Sequence, residues 1–236
     1  GEGVAVLFGN YAGDNMNVKM AVQMAEDDDI EVKYVVANDD VASAPKAVKE
    51  QRHGIAGGFF MWKVGGARAA KGGSLDDVIA SAQNVVNRTK SICVGLEPCV
   101  IPALGHSNFK IEDGTMEFGV GHHGEAGTKV EKLKSASEMA QEMAETILND
   151  FDFEEGKEVA VMLSSLGATP VMELYVLYDE VEKVLAKAGH KVWKTYIGNY
   201  VTSLDMNGAS LTIVDLDDEI KELLSEPAVP IGMKNY

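Results

Sequence analysis

Short apolar runs alternate with segments of helical periodicity along this chain, and turn-forming residues separate them. This alternation constrains the fold more than any other feature. A strand that feeds a helix and then a second strand favours a βαβ unit and a parallel sheet. Val4–Phe8 reads as a short buried strand, and Asn10-Tyr11-Ala12-Gly13-Asp14 is turn chemistry. Met16, Met20 and Met24, with Ala21 and Ala25, then recur at three and four residues and predict an amphipathic helix with the methionines in the core. Val32–Val36 is a second strand and ends in Asn38-Asp39-Asp40. Residues 55–70 predict a helix despite their glycines. Ser74 with Asp77 forms a capping box that opens the next helix, and Ser91–Leu96 is a strand.

The second half repeats the alternation with a different rhythm. Met116–Val120 is a strand that runs into a glycine-rich loop, Gly119 to Gly127. Ser135 with Glu138 is another capping box. The acidic stretch Asp150 to Glu155 reads as a solvated connector, and Val159–Leu163 as a strand. Thr169 reads as an N-cap, with Pro170 at the first helical position. Strands at Val192–Ile197 and Ser210–Val214 and a helix at Asp218–Leu224 follow. The expected class is therefore α/β: two α/β lobes with mixed, largely parallel sheets, divided into residues 1–92 and 93–236. The first apolar run arrives at Val4 with no element before it, so the first lobe is expected to be N-terminally truncated.

Charge and composition exclude several functions. With 37 acidic and 21 basic side chains the net charge is −16, which repels nucleic-acid phosphates and anionic membranes. No apolar stretch reaches the ~20 residues of a membrane-spanning helix. Cys93 and Cys99 make no disulfide framework and no CxxC metal pair, so they read as buried free thiols of a cytoplasmic protein.

The candidate chemistry lies in two places. Gly119-Val120-Gly121-His122-His123-Gly124 matches a G-x-G-x-x-G pattern, but the Glu125-Ala126-Gly127-Thr128-Lys129 that follows continues the loop and opens no helix, so a dinucleotide site is rejected. What remains is a histidine pair between glycines, beside Glu125. Such a histidine can act as base, nucleophile or metal ligand, or be a plain surface imidazole. Asp14 reads as an N-cap, or as a ligand-facing carboxylate at the C-terminal end of a strand, where open α/β sheets bind their ligands.

Taken together and in order, these segments resemble the substrate-binding subunit of dihydroxyacetone kinases, the DhaK family. The matching pieces are Gly1 to Asp14, Asn38 to Ala42, Met116 to Glu125, Leu166 to Pro170 with Glu173 to Tyr175, Ile197 to Gly208, and Leu216 to Asp218. The resemblance implies that His123 captures a small ketone as a hemiaminal and that Asp14 deprotonates the hydroxyl that attacks phosphorus. Gly9, Asn10, Tyr11 and Gly13 would shape the crevice, with no cofactor or metal held by this chain. The resemblance further implies dihydroxyacetone as substrate, a homodimer, and a DhaL-type partner that carries ATP or ADP with Mg. The chain departs from the family pattern at Gly9, where some members have lysine, at His122, usually aliphatic, and at Ala126, usually proline. The family's Gly-Gly-Gly-Ser-Gly-His-Glu-Pro segment is not in this sequence. A non-catalytic ketone-binding co-activator and an erythrulose kinase are the alternatives within the family.

Overall fold

A computed structural model describes residues 2–107, 109–152, 156–230 and 233. In chain order the elements are β1 (Val4–Gly9), α1 (Ala12–Asp27), β2 (Val32–Ala37), a 3-10 turn (Lys46–Gln51), α2 (Gly58–Ala70), α3 (Leu75–Asn87) and β3 (Thr89–Glu97). Then come β4 (Thr115–Phe118), β5 (Lys129–Lys132), α4 (Ala136–Asp150), β6 (Glu158–Ser165), α5 (Val171–Lys187), β7 (Lys191–Gly198), β8 (Asn207–Asp215) and α6 (Asp218–Ser225). β5 begins where the loop read from the sequence ends, in residues to which the sequence reading assigns no element. Its four residues are too few to show an apolar alternation.

The strands form a parallel pair, β1-β2, and a six-stranded sheet in the order β5-β4-β3-β8-β6-β7. The mixed α/β class holds, with a smaller parallel share than the alternation implies. β1-β2 and β6-β7 are parallel, and the other four pairings are antiparallel. For β8 the reason is connection length. The β7–β8 link carries no helix and is shorter than the dozen or so residues that a parallel crossover needs.

β6 is apolar on both sides because both sides are covered. Ala160 and Met162 face a core shared with α2, α3 and α6, and Val159, Val161 and Leu163 face α4 and α5. The expected lobe boundary between residues 92 and 93 falls inside β3. Both predicted capping boxes are present, Ser74 with Asp77 and Ser135 with Glu138. Thr169 caps nothing. Pro170 holds the N-cap position of α5, and the Thr169 hydroxyl donates to Gly208 O at 2.7 Å, tying the helix entry to β8.

The methionine stripe of α1 is not core. Met16, Met20 and Met24 are 63%, 56% and 64% exposed, and α1 has no fully buried residue. Periodicity locates an apolar face but does not say whether the described residues cover it. The acidic connector is also not uniformly solvated. Asp150 accepts from both terminal nitrogens of the Arg52 guanidinium at 2.7 Å, and Arg52 is 1% exposed. Asp152 is exposed and meets Lys46, and residues 153–155 lie outside the described residues.

Arg52→Ala leaves the Asp150 carboxylate unpaired in a site that is 11% exposed. Urea denaturation is expected to show a loss of about 3–5 kcal/mol. The isosteric apolar pair Arg52→Met with Asp150→Leu is expected to recover most of it.

Candidate functional site

The two motifs singled out in the sequence meet beyond the C-terminal end of β1. Gly9 closes that strand opposite Ala37. Asn10 continues it by one backbone bond, N–H to Ala37 O at 2.9 Å. The Asn10 side-chain amide donates to Arg52 O at 2.7 Å and to Glu50 O at 3.0 Å, and its oxygen accepts from Asn15. Asn10 thus fastens the start of α1 to the segment that Arg52 anchors.

Tyr11 is the N-cap of α1, with no side-chain cap, and Asn15 Nδ2 donates to Tyr11 O at 3.0 Å. Asp14 is therefore not the cap. It sits exposed in the first helical turn, where the positive end of the helix dipole favours a carboxylate. Gly13, just before it, is exposed with open space around its Cα.

The histidine loop is folded on Glu125. Glu125 Oε2 accepts the His123 backbone N–H at 2.8 Å, and Oε1 lies 3.3 Å from His123 Nδ1. The Gly121 N–H donates to Glu125 O at 2.8 Å. A Cβ on Gly121 would run into the Glu125 carboxylate, and Gly124 turns the chain at φ +80°, so both glycines are sterically required. Burial pushes the Glu125 carboxyl up, but backbone N–H donors and the neighbouring imidazoles outweigh it and hold it below its ordinary value.

The two histidines differ. His123 has a side chain 65% exposed. His122 is turned inward, and burial lowers its imidazole pKa. Its Nε2 has no hydrogen-bond partner among the described residues, and its carbonyl accepts from the Ser203 hydroxyl.

Tyr11 joins the motifs. Its ring lies 4.5 Å from that of His123, edge to face at 63°. On another side it stacks on His53 at 4.8 Å and 21°. The sequence reading missed His53. A single imidazole far from both motifs carries no local signal, and only the crossing of chain segments brings it to Tyr11.

Asp39 and Asp40 are structural here, not ligand-facing. Both are 2% exposed. Asp39 accepts N–H bonds from Ile55 at 3.1 Å and Gly57 at 2.7 Å. Asp40 Oδ1 accepts from Ala42 N–H at 3.0 Å. Burial pushes the Asp40 carboxyl up to about 7, with the Ala42 N–H pulling against it and the Asp39 charge adding to it. Among the described residues no three His, Cys, Asp or Glu side chains gather as a metal site.

Fold and site together define an α/β domain in which a carboxylate-braced imidazole packs on the tyrosine that caps α1, with an exposed aspartate in the first turn of that helix. The sequence matches the Dak1 domain over residues 1–231, and the chain belongs to that family. It is 40% identical to the dihydroxyacetone-binding subunit DhaK of a PTS-dependent dihydroxyacetone kinase from Listeria innocua, over 93% of this chain and 67% of the relative. It is 37% identical to a D-erythrulose kinase from Mycolicibacterium smegmatis, over 96% of this chain and 39% of the relative. Among solved structures it matches the dihydroxyacetone kinase operon co-activator DhaQ with a TM-score of 0.90 at 29% identity, over 96% of this chain and 70% of that one. The chain thus spans about two thirds of the length of the DhaK subunits it matches.

A carboxyl whose folded pKa is raised above its unfolded value binds its proton more tightly when folded. Asp40 therefore subtracts stability progressively as the pH rises from about 4 to about 7. Asp40→Asn removes that titration, so its stability relative to the unmodified protein is expected to climb across the same interval. Urea melts at a series of pH values measure the difference.

Proposed function

We propose that this chain is the ketone-binding component of a dihydroxyacetone kinase, with His123 as the capturing group and Asp14 as the base. The observation that carries the reading is the Glu125 brace on His123. A carboxylate at Nδ1 favours the tautomer with the proton on Nδ1 and leaves the Nε2 lone pair free. Nε2 attacks the carbonyl carbon, and the carbonyl π electrons move onto oxygen. The alkoxide oxygen takes a proton from solvent and Nδ1 returns one to solvent by way of Glu125, so a neutral hemiaminal results with no net change in protons. A ketone can be held this way. Glycerol has no carbonyl and cannot.

Asp14 lies one helical turn beyond Tyr11, whose ring touches His123. A carboxylate there can take the proton of a terminal hydroxyl on the captured ketone as it attacks phosphorus. The nucleotide, ATP or ADP with magnesium, would reside on a DhaL-type partner. The family resemblance supports a homodimer as the working assembly. The cytoplasm is the compartment that two buried free thiols suit, and no described helix is long and apolar enough to cross a membrane.

A second reading has an observation in its favour. The likeness to the DhaQ co-activator fits a protein that binds the ketone without phosphorylating it.

The test uses the full-length protein and dihydroxyacetone labelled at the carbonyl carbon. NMR is expected to show that carbon becoming tetrahedral on binding. His123→Ala is expected to abolish the change, and a signal that survives in this variant removes His123 from the role. With a DhaL-type partner and nucleotide, Asp14→Asn is expected to keep the adduct and lose about 10²–10⁴-fold in phosphorylation rate. An adduct that no partner phosphorylates selects the co-activator.

A further inference from the structure

We propose that His53 is a positioning residue of this site and acts through Tyr11. The inference rests on the reading of His123 as the carbonyl-capturing group. Tyr11 stands between two imidazoles, with His53 stacked at 4.8 Å and His123 edge to face at 4.5 Å. A buried tyrosine usually takes its orientation from a hydrogen bond at its hydroxyl. Here the Tyr11 hydroxyl is buried and has no hydrogen-bond partner among the described residues. The plane of the ring is therefore set by what packs on its faces and edges.

Glu125 holds His123 within its own loop, whereas His53 is tied to the buried part of the fold. Its backbone N–H donates to Ser43 Oγ at 2.9 Å, and its carbonyl accepts from Asp40 N–H at 3.1 Å. The residue before it, Arg52, is buried, gripped by Asp150, and offers its carbonyl to Asn10. The chain on both sides of His53 is thus tied to the rigid part of the fold. His123, by contrast, sits in a short loop with an exposed side chain. Position passes from His53 to Tyr11 and from Tyr11 to the attacking imidazole. Glu125 selects the proton location on His123, and the His53–Tyr11 stack sets which way its ring faces. A nucleophile must approach a carbonyl carbon along a narrow range of directions, so a loosened ring lowers the fraction of productive encounters.

The distinguishing variants are His53→Ala, which removes the stack, and His53→Phe, which keeps the stack and removes both ring nitrogens. Two readouts in the full-length protein separate the possibilities. The first needs no ketone: the proton resonances of the Tyr11 and His123 rings, displaced by their mutual ring currents. His53→Ala is expected to collapse those displacements and His53→Phe to retain them. The second is the apparent dissociation constant for carbonyl-labelled dihydroxyacetone. It is expected to rise about tenfold in His53→Ala and to return towards the unmodified value in His53→Phe.

Unchanged ring resonances in His53→Ala overturn the proposal. So does a His53→Phe variant that behaves like His53→Ala, since the imidazole nitrogens would then carry the effect. If the unmodified protein forms no adduct, the capture reading falls, and the ring resonances still decide the role of His53.

Discussion

Asp39 is the joint on which the arrangement depends. It lies two residues beyond the end of β2, its carboxylate accepts the N–H groups of Ile55 and Gly57 at the entry to α2, and its backbone carbonyl accepts the Ser91 N–H at 2.8 Å in β3. One residue therefore fastens β2, α2 and the six-stranded sheet together. A two-stranded sheet is marginal by itself, and β1-β2 takes its place from this attachment together with the packing of Leu7, Val35 and Ala37 on α2 and α3. Burial raises the carboxyl pKa against the backbone donors that favour its charged form, the usual tension of a polar group used as an internal fastener.

The site inherits its order from that joint in steps. Asp40 N–H holds the His53 carbonyl, and the Arg52–Asp150 pair holds the same segment from the α4 side. Asn10 then fastens the beginning of α1 to the Arg52 carbonyl. The first step is a bond between backbone groups, the second an ion pair between side chains, and the third a side-chain amide on a backbone carbonyl. The functional groups stand at the end of this chain of supports: Tyr11 half-buried, His123 and Asp14 exposed. Rigidity is concentrated behind the site, and accessibility at its front.

Much of the fold was legible locally. Both capping boxes pair a serine with an acid three residues on, and such reciprocal bonds form wherever the helix starts, whatever lies around it. Strand β6 announced itself as a continuous apolar run, since both of its faces are covered. Strand direction was less legible, because a strand carries no mark of its partner's orientation. The α1 methionines are the sharpest failure. Their spacing describes an apolar face correctly, yet among the described residues nothing buries it. Asp14 was read as a cap or as a ligand-facing carboxylate, and the first of these fails because Tyr11 holds the N-cap position.

By itself, the sequence determined the α/β class, the helix boundaries set by local bonds, the family, and the pairing of an Asn-Tyr-x-Gly-Asp motif with a His-Gly-Glu motif. These depend on short-range patterns or on motif order, which are written along the chain. Only the tertiary structure decided that Asp39 and Asp40 are buried fasteners, that Glu125 braces His123, and that Tyr11 joins His53 and His123. The Asp39 and His53 contacts join segments far apart in sequence. The Glu125 brace is local, but two glycine-dependent turns create it, and residue spacing does not encode their geometry.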